Sequence, residues 1–447
     1  MTSISHPGFS STEMERDARQ LTAQNDHVDP GDIAVGVIIG RASEYFDFFV
    51  YGIASVLVFP SVFFPFLDRL EGMLGAFVVF SFAFVARPFG TALFMRMQRR
   101  WGRGTKLTAA LFLLGFATAG MAFIPGHDTL GLASIALLAG LRVLQGVALG
   151  GSWDGLPSLL ALSAPANRRG WYAMLGQLGA PIGFAMASGL FLFLQQSLSN
   201  EDFLAWGWRY PFYVAFAINV VALFARLRLV VTPEYTRLLE QCELEPTPLP
   251  ELLREQGRNV WIGAFAALAS FALFHLVTVF PLSWLTINGA RSVSEVLSVQ
   301  LLGAVLAVAG MIVSGRVADR IGRRRTLGLS ASLIAVFSVA APLLLQAGST
   351  GQDAFILVGF ALLGFSYGQA AGAVTANFLS RYRYAGAALT ADLAWLIGAA
   401  FAPLVALGLS AHFGLAFLGV YLLSGAVCTL AALRVNRLLV SAEDFAE

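Results

Sequence analysis

The sequence predicts an all-α membrane protein of twelve transmembrane helices in two six-helix bundles, with both termini in the cytoplasm. Three observations predict it. Of 447 residues, 57% are hydrophobic and only 13% charged, with a mean hydropathy of +0.71. A soluble domain is about half apolar and about a quarter charged, so this chain has too little polar surface to coat a soluble fold of its size. The apolar residues also come in long continuous runs, unlike the short alternating segments of outer-membrane barrels, and twelve spans of about 20 residues account for that fraction. The third observation is where the basic residues fall.

The elements follow in order. Residues 1–32 hold six acids (Glu13 to Asp32) and no apolar run, which reads as a cytoplasmic tail without a cleavable leader. Spans are expected at 33–58, 72–95, 107–125, 130–162, 171–196 and 208–229, forming an N-terminal bundle over 33–229. A Glu- and Pro-containing stretch at 230–258 reads as a cytoplasmic linker with a short helix. Spans at 259–287, 295–316, 326–346, 353–379, 385–410 and 413–434 form a C-terminal bundle over 259–436, and 437–447 is a second tail. With this division, alternate connections hold Arg96 to Lys106, Arg168 and Arg169, Arg226 to Arg258, Arg316 to Arg325, and Arg381 and Arg383. Together with the tails they carry 23 basic residues, against Arg69, Arg209 and Arg291 on the other side. The positive-inside rule puts the rich side in the cytoplasm and requires an even number of spans.

The two halves repeat. Arg99-Arg100-Trp-Gly102-Arg103 aligns with Asp319-Arg320-Ile-Gly322-Arg323, and Gly146 and Gly150 of span 4 match Gly364 and Gly368 of span 10. Such tandem duplication marks repeat-built transporters. The Gly-x-x-x-Gly steps favour close helix approach.

Several chemistries have no residues to stand on. There is no phosphate-binding Gly-rich Lys-Ser/Thr string, His/Cys ligand cluster, nucleophile elbow or dinucleotide fingerprint, so no cofactor, metal or enzymatic activity is expected. Cys242 and Cys428 are far apart and imply neither a disulfide framework nor a metal site. A net charge of +2 gives no reason to expect a nucleic-acid partner. The expected partners are the lipid bilayer, protons and a small organic anion or zwitterion, with the monomer as working unit.

Charges inside the spans carry the chemistry, because each costs about 2.5–3.5 kcal/mol at mid-helix on insertion scales. Arg41, Glu44 and Asp47 share one face of span 1 at i, i+3, i+6. Two neighbouring carboxylates in low dielectric favour keeping a proton between them, so Asp47 and Glu44 are the proton-coupling candidates. A fixed Arg41–Glu44 packing pair is the alternative. Arg142 in span 4, followed by Gln145, can hold a substrate carboxylate bidentately or pair with the span 1 acids. Gln177, Tyr367 and Gln369, with Asn219, Trp284, Asn377 and Trp395, are further cavity-lining candidates, each equally readable as an interhelical hydrogen bond or anchor. His275 in span 7 reads as a packing histidine. Arg87 before Pro88 reads as a helix-end or gate residue, and Asp154 as a gate partner of the loop arginines. Asp392 lies about two turns into span 11, where Arg99 or Arg103 can pair with it in one conformation. A cavity-lining role for Asp392 is the alternative.

Several strings together resemble the metabolite:H⁺ symporter family of the major facilitator superfamily. They are Gly315-x-x-x-Asp319-Arg320-x-Gly322-Arg323-Arg324, Glu44-Tyr-Phe-Asp47-Phe48, Arg87-Pro88-Phe-Gly90, Arg142-Val-Leu-Gln145-Gly146 and Trp206-Gly-Trp208-Arg209-x-Pro211-Phe212. The resemblance covers about 33–436 and implies two bundles rocking about a central site in the bacterial inner membrane. It implies gating through Asp319, Arg320 and Arg323, and proton-coupled movement of carboxylates, shikimate-like or aromatic acids, or betaines. The chain departs from the pattern where Arg99, Ser152, Leu162, Asn377 and Val231 stand at positions that the family fills with acids. Four intramembrane acids against three arginines also permit a proton-driven exporter, and the altered first loop permits a non-transporting sensor or partner subunit.

Overall fold

The computed structural model describes residues 30–153, 160, 166–230, 246–375 and 378–435. Among the described residues the long helices group into twelve segments, here α1 to α12. They are α1 (Pro30–Leu57), α2 (Arg69–Trp101), α3 (Arg103–Ala122), α4 (Leu132–Gly151), α5 (Arg169–Leu175 and Gly179–Ser197) and α6 (Tyr210–Val230). The second half contains α7 (Leu249–Ala266, Leu268–Thr278 and Phe280–Ile287), α8 (Val293–Ile321), α9 (Arg323–Gln346), α10 (Gly348–Thr375), α11 (Ser380–Gly398 and Ala402–Phe413) and α12 (Ala416–Val435). The chain is a multi-pass membrane protein. Its outward faces expose Phe89, Phe112, Val336, Val339 and Leu343, an apolar belt that only lipid satisfies.

The helix of the fourth span ends at Gly151, and most of its expected continuation to 162 lies outside the described residues. One boundary differs from the sequence expectation: α7 begins at Leu249, inside the expected linker. Pro248 precedes that start and leaves Leu249–Ala266 as one continuous helix from polar linker into apolar span.

Local chemistry explains the repeat. Asp68 caps α2 and Ser292 caps α8, each accepting the backbone N–H three residues on. Both helices end on a glycine, Gly102 (φ 85) and Gly322 (φ 82), and the next helix starts one residue later. Only glycine takes that backbone conformation without strain, which is why the Arg-x-Gly-Arg string recurs.

Packing repeats as well. In the N-terminal bundle α2 packs on α4, α1 on α5 and α3 on α6; in the C-terminal bundle α8 packs on α10, α7 on α11 and α9 on α12. The two bundles meet along α5–α8 and α2–α11, again related by the repeat. Glycine sets the closest crossings. A Cβ added at Gly146 would lie 2.6 Å from the Ala83 Cα, and one added at Gly364 would lie 2.7 Å from the Ala307 Cα. The two backbones come that close together only because no side chain intervenes at these glycines.

Candidate substrate cavity and its gates

A cavity of about 60 Å³ lies between the bundles. One stripe of α1, at i, i+3, i+4 and i+7, supplies Arg41, Glu44, Tyr45 and Phe48, the positions that share a helix face. Phe84 and Arg87 of α2, Trp153 after α4 and Gln177 of α5 complete the N-terminal wall. Phe271 of α7, Tyr367 of α10 and Trp395 of α11 form the other side. The Tyr45 and Tyr367 hydroxyls hydrogen-bond across the cavity and tie the bundles together. Beyond them Phe49 stacks on Phe274, with centroids 5.5 Å apart. The space has room for a few waters and is far below the ~300 Å³ of a ligand pocket, so the cavity is contracted.

The cavity arginines are held by carboxylates. Glu44 takes Arg41 at 2.8 Å and Arg226 at 2.7 Å, one on each oxygen. Arg226, expected in a connection, is buried in α6. Arg87 pairs with Asp392 at 2.7 Å, and the Thr91 hydroxyl donates to the second Asp392 oxygen. In this conformation Arg87, rather than Arg99 or Arg103, is the partner of Asp392. Arg99 is exposed at the end of α2, and Arg103 lies over the Tyr384 ring at 5.7 Å. Asp154 lies outside the described residues.

Asp47 and Arg142 sit behind the cavity wall, not on it. The Asn219 side-chain amide donates to Asp47 at 2.5 Å, and the Ser43 hydroxyl donates to the Asn219 carbonyl at 2.8 Å. Among the described residues Asp47 makes no ion pair, and one of its oxygens has no hydrogen-bond partner. Arg142 donates to the Phe80 carbonyl at 3.2 Å and to Gln145 at 2.5 Å, and Gln145 donates to Thr118. The guanidinium lies 3.9 Å from the Tyr51 ring centre and 4.8 Å from that of Phe80. Phe48 and Phe84, which line the cavity, also face this guanidinium. His275 stacks on Phe48, fully buried among aromatic rings, and among the described residues neither of its ring nitrogens has a hydrogen-bond partner.

Two sets of contacts close the arginine-rich face. At α5–α8, Asp319 accepts the Gly170 N–H at 2.7 Å and the Trp171 N–H at 3.2 Å, placing a carboxylate on the free N–H groups that begin α5. Arg323 donates to the Arg169 carbonyl at 2.8 Å, while Arg320 is exposed. Gln369 belongs here rather than to the cavity, donating to the Gly170 carbonyl at 3.2 Å. At α2–α11, buried Lys106 donates to the Trp153 carbonyl and to the Tyr384 hydroxyl, which in turn donates to Gln98 at 3.0 Å. Lys106 and Tyr384 escaped the sequence reading because both stand in basic, connection-like strings.

A family model described as the Major Facilitator Superfamily matches residues 48–393. The chain belongs to that superfamily. It is a membrane transporter, not an enzyme. It is 36% identical over 408 residues to the inner membrane metabolite transport protein YhjE of Escherichia coli (strain K12), covering 90% of this chain and 92% of that one. It is 30% identical over 411 residues to the shikimate transporter of the same organism, covering 90% and 92%. The crystal structure of a D-xylose-proton symporter shares the transporter's fold, with a TM-score of 0.67 at 19% identity over 91% of this chain and 97% of that one.

Proposed function

We propose that the chain is a proton-coupled symporter of a small organic acid in the bacterial inner membrane, with the arginine-rich face in the cytoplasm and the monomer as working unit. The observation that carries this reading is Asp47, a buried carboxylate with a free oxygen and no ion pair. An isolated carboxylate in low dielectric is costly, and a proton removes the cost. Glu44, clasped by Arg41 and Arg226, keeps its charge satisfied and holds α1 to α6, so the proton is carried on Asp47. The acid sits among Arg41, Gln177, Tyr45 and Tyr367, and the bundles rock about it. Both gates and the cavity come from one chain, which supports the monomer. Relatives named for metabolite and shikimate transport support the substrate class.

The test is flux in proteoliposomes under an inward proton gradient, with 2-oxoglutarate, shikimate, benzoate and glycine betaine offered in turn. One acid should accumulate and collapse with a protonophore. Asp47→Asn should abolish accumulation, by about a hundredfold or more, and spare exchange of substrate for substrate. Full accumulation in that variant would remove Asp47 from the coupling role. Efflux driven by the same gradient would replace symport with export.

A further inference from the structure

The two cavity arginines differ in what their partners hold together. Arg41 and Glu44 are three residues apart on one helix, so parting them moves no bundle. Arg87 and Asp392 belong to opposite bundles and form a tie across α2–α11. The Arg87 side chain borders the cavity and is 13% exposed, whereas Asp392 at 3% lies behind it. A guanidinium carries five donors in a fixed fork that fits a carboxylate. Asp392 engages it through Nε, at 2.7 Å, and among the described residues Arg87 makes no second ion pair.

We propose that Arg87 is the anchor for the carboxylate of the transported acid, and that Asp392 stands in for that carboxylate until the acid displaces it. The proposal rests on the organic-acid reading above and adds the binding residue and its competitor. One carboxylate exchanges for another on the same guanidinium, and the Thr91–Asp392 hydrogen bond, which also joins α2 to α11, opens with the tie. The acid therefore binds only the state in which the α2–α11 tie is broken, and shifts the population toward it. A neutral molecule of the same shape cannot make the exchange. Recognition of charge and release of the gate become one event. Arg142 cannot serve in the same way from behind Phe48 and Phe84.

The experiment measures the distance between spin labels on cysteines introduced at Arg100 and Leu379, exposed positions at the arginine-rich ends of α2 and α11. Cys242 and Cys428 are replaced by serine, and the full-length protein is held in lipid nanodiscs. The probes are 2-oxoglutarate, shikimate, benzoate and the uncharged benzamide. At least one acid should lengthen the distance with a saturable midpoint, and benzamide should not. Asp392→Asn should widen the resting distribution and lower that midpoint about tenfold or more, because the competitor is gone. Arg87→Gln should widen it too and abolish the response to the acid. An unchanged or raised midpoint in Asp392→Asn, a response to benzamide equal to that of any acid, or no response to any acid would overturn the proposal. Flux separates it from the broader reading. An acid that accumulates with a midpoint indifferent to Asp392→Asn leaves symport standing and removes the exchange. An acid that opens the tie yet never accumulates with protons does the reverse.

Discussion

The two inter-bundle contacts on the arginine-rich face share a backbone and differ in chemistry. Each is built where a long helix ends on a positive-φ glycine, Gly102 in one half and Gly322 in the other, and faces the start of a helix in the opposite bundle. At α5–α8 a carboxylate, Asp319, sits on backbone N–H groups and is supported by the helix dipole. At α2–α11 the equivalent position is Arg99, which points to solvent, and closure falls to the Lys106–Tyr384–Gln98 set and, one layer deeper, to Arg87–Asp392. Duplication preserves the turn because only glycine fits it. It leaves side chains free to diverge so long as each face still closes. One contact is therefore a fixed charge–dipole pairing, and the other places an ion pair within reach of the cavity.

The largest effect tests what the halves have in common. Gly146→Leu and Gly364→Leu each drive a side chain into the facing backbone, at crossings where even a Cβ has no room. Each should cost about 1–3 kcal/mol or more by overpacking. Thermal unfolding should show both losing several degrees, and a fall in only one would mean that the two crossings are not mechanically equivalent. The next effect separates the gates. Asp319→Ala removes a charged acceptor of backbone N–H groups, a loss of about 1.5–3 kcal/mol per bond to a charged group. The closed population at α5–α8 should fall roughly tenfold or more, read by cross-linking rates between cysteines at the ends of α5 and α8. Tyr384→Phe removes neutral hydrogen bonds at the other gate, and the same readout there should change only a few-fold.

Much of the fold was legible because it rests on local rules. Span number follows from apolar runs, the shared loop from Gly102 and Gly322, and the placing of Arg41 and Glu44 on one helix face from helical spacing, which also groups Asp47 with them although it sits behind the cavity wall. What escaped needs three dimensions. Arg226 and Lys106 lie in strings that hydropathy assigns to connections, yet both are buried, since their partners come from other helices. Arg142 looked like a cavity cation until rings from α1 and α2 closed over it. The sequence offers Asp392 only Arg99 or Arg103 as partner, whereas Arg87 holds it, because the choice depends on depth along α2, which composition does not record.

The smallest expected effect bears on that last choice. If the acid missing from the first loop had simply moved to α11, exchanging the charges of Arg99 and Asp392 would restore whatever each single change loses. The geometry gives the opposite expectation. Arg99 is exposed and Arg87 holds Asp392, so Arg99→Asp alone should alter stability and flux within about 0.5 kcal/mol, as surface substitutions do. Asp392→Arg would set a second guanidinium beside Arg87 in a buried site, and adding Arg99→Asp should rescue none of that loss. Rescue of uptake in the double variant would show that α2 slides along α11 far enough to bring position 99 to position 392, and would make the α2–α11 gate a second charge contact after all.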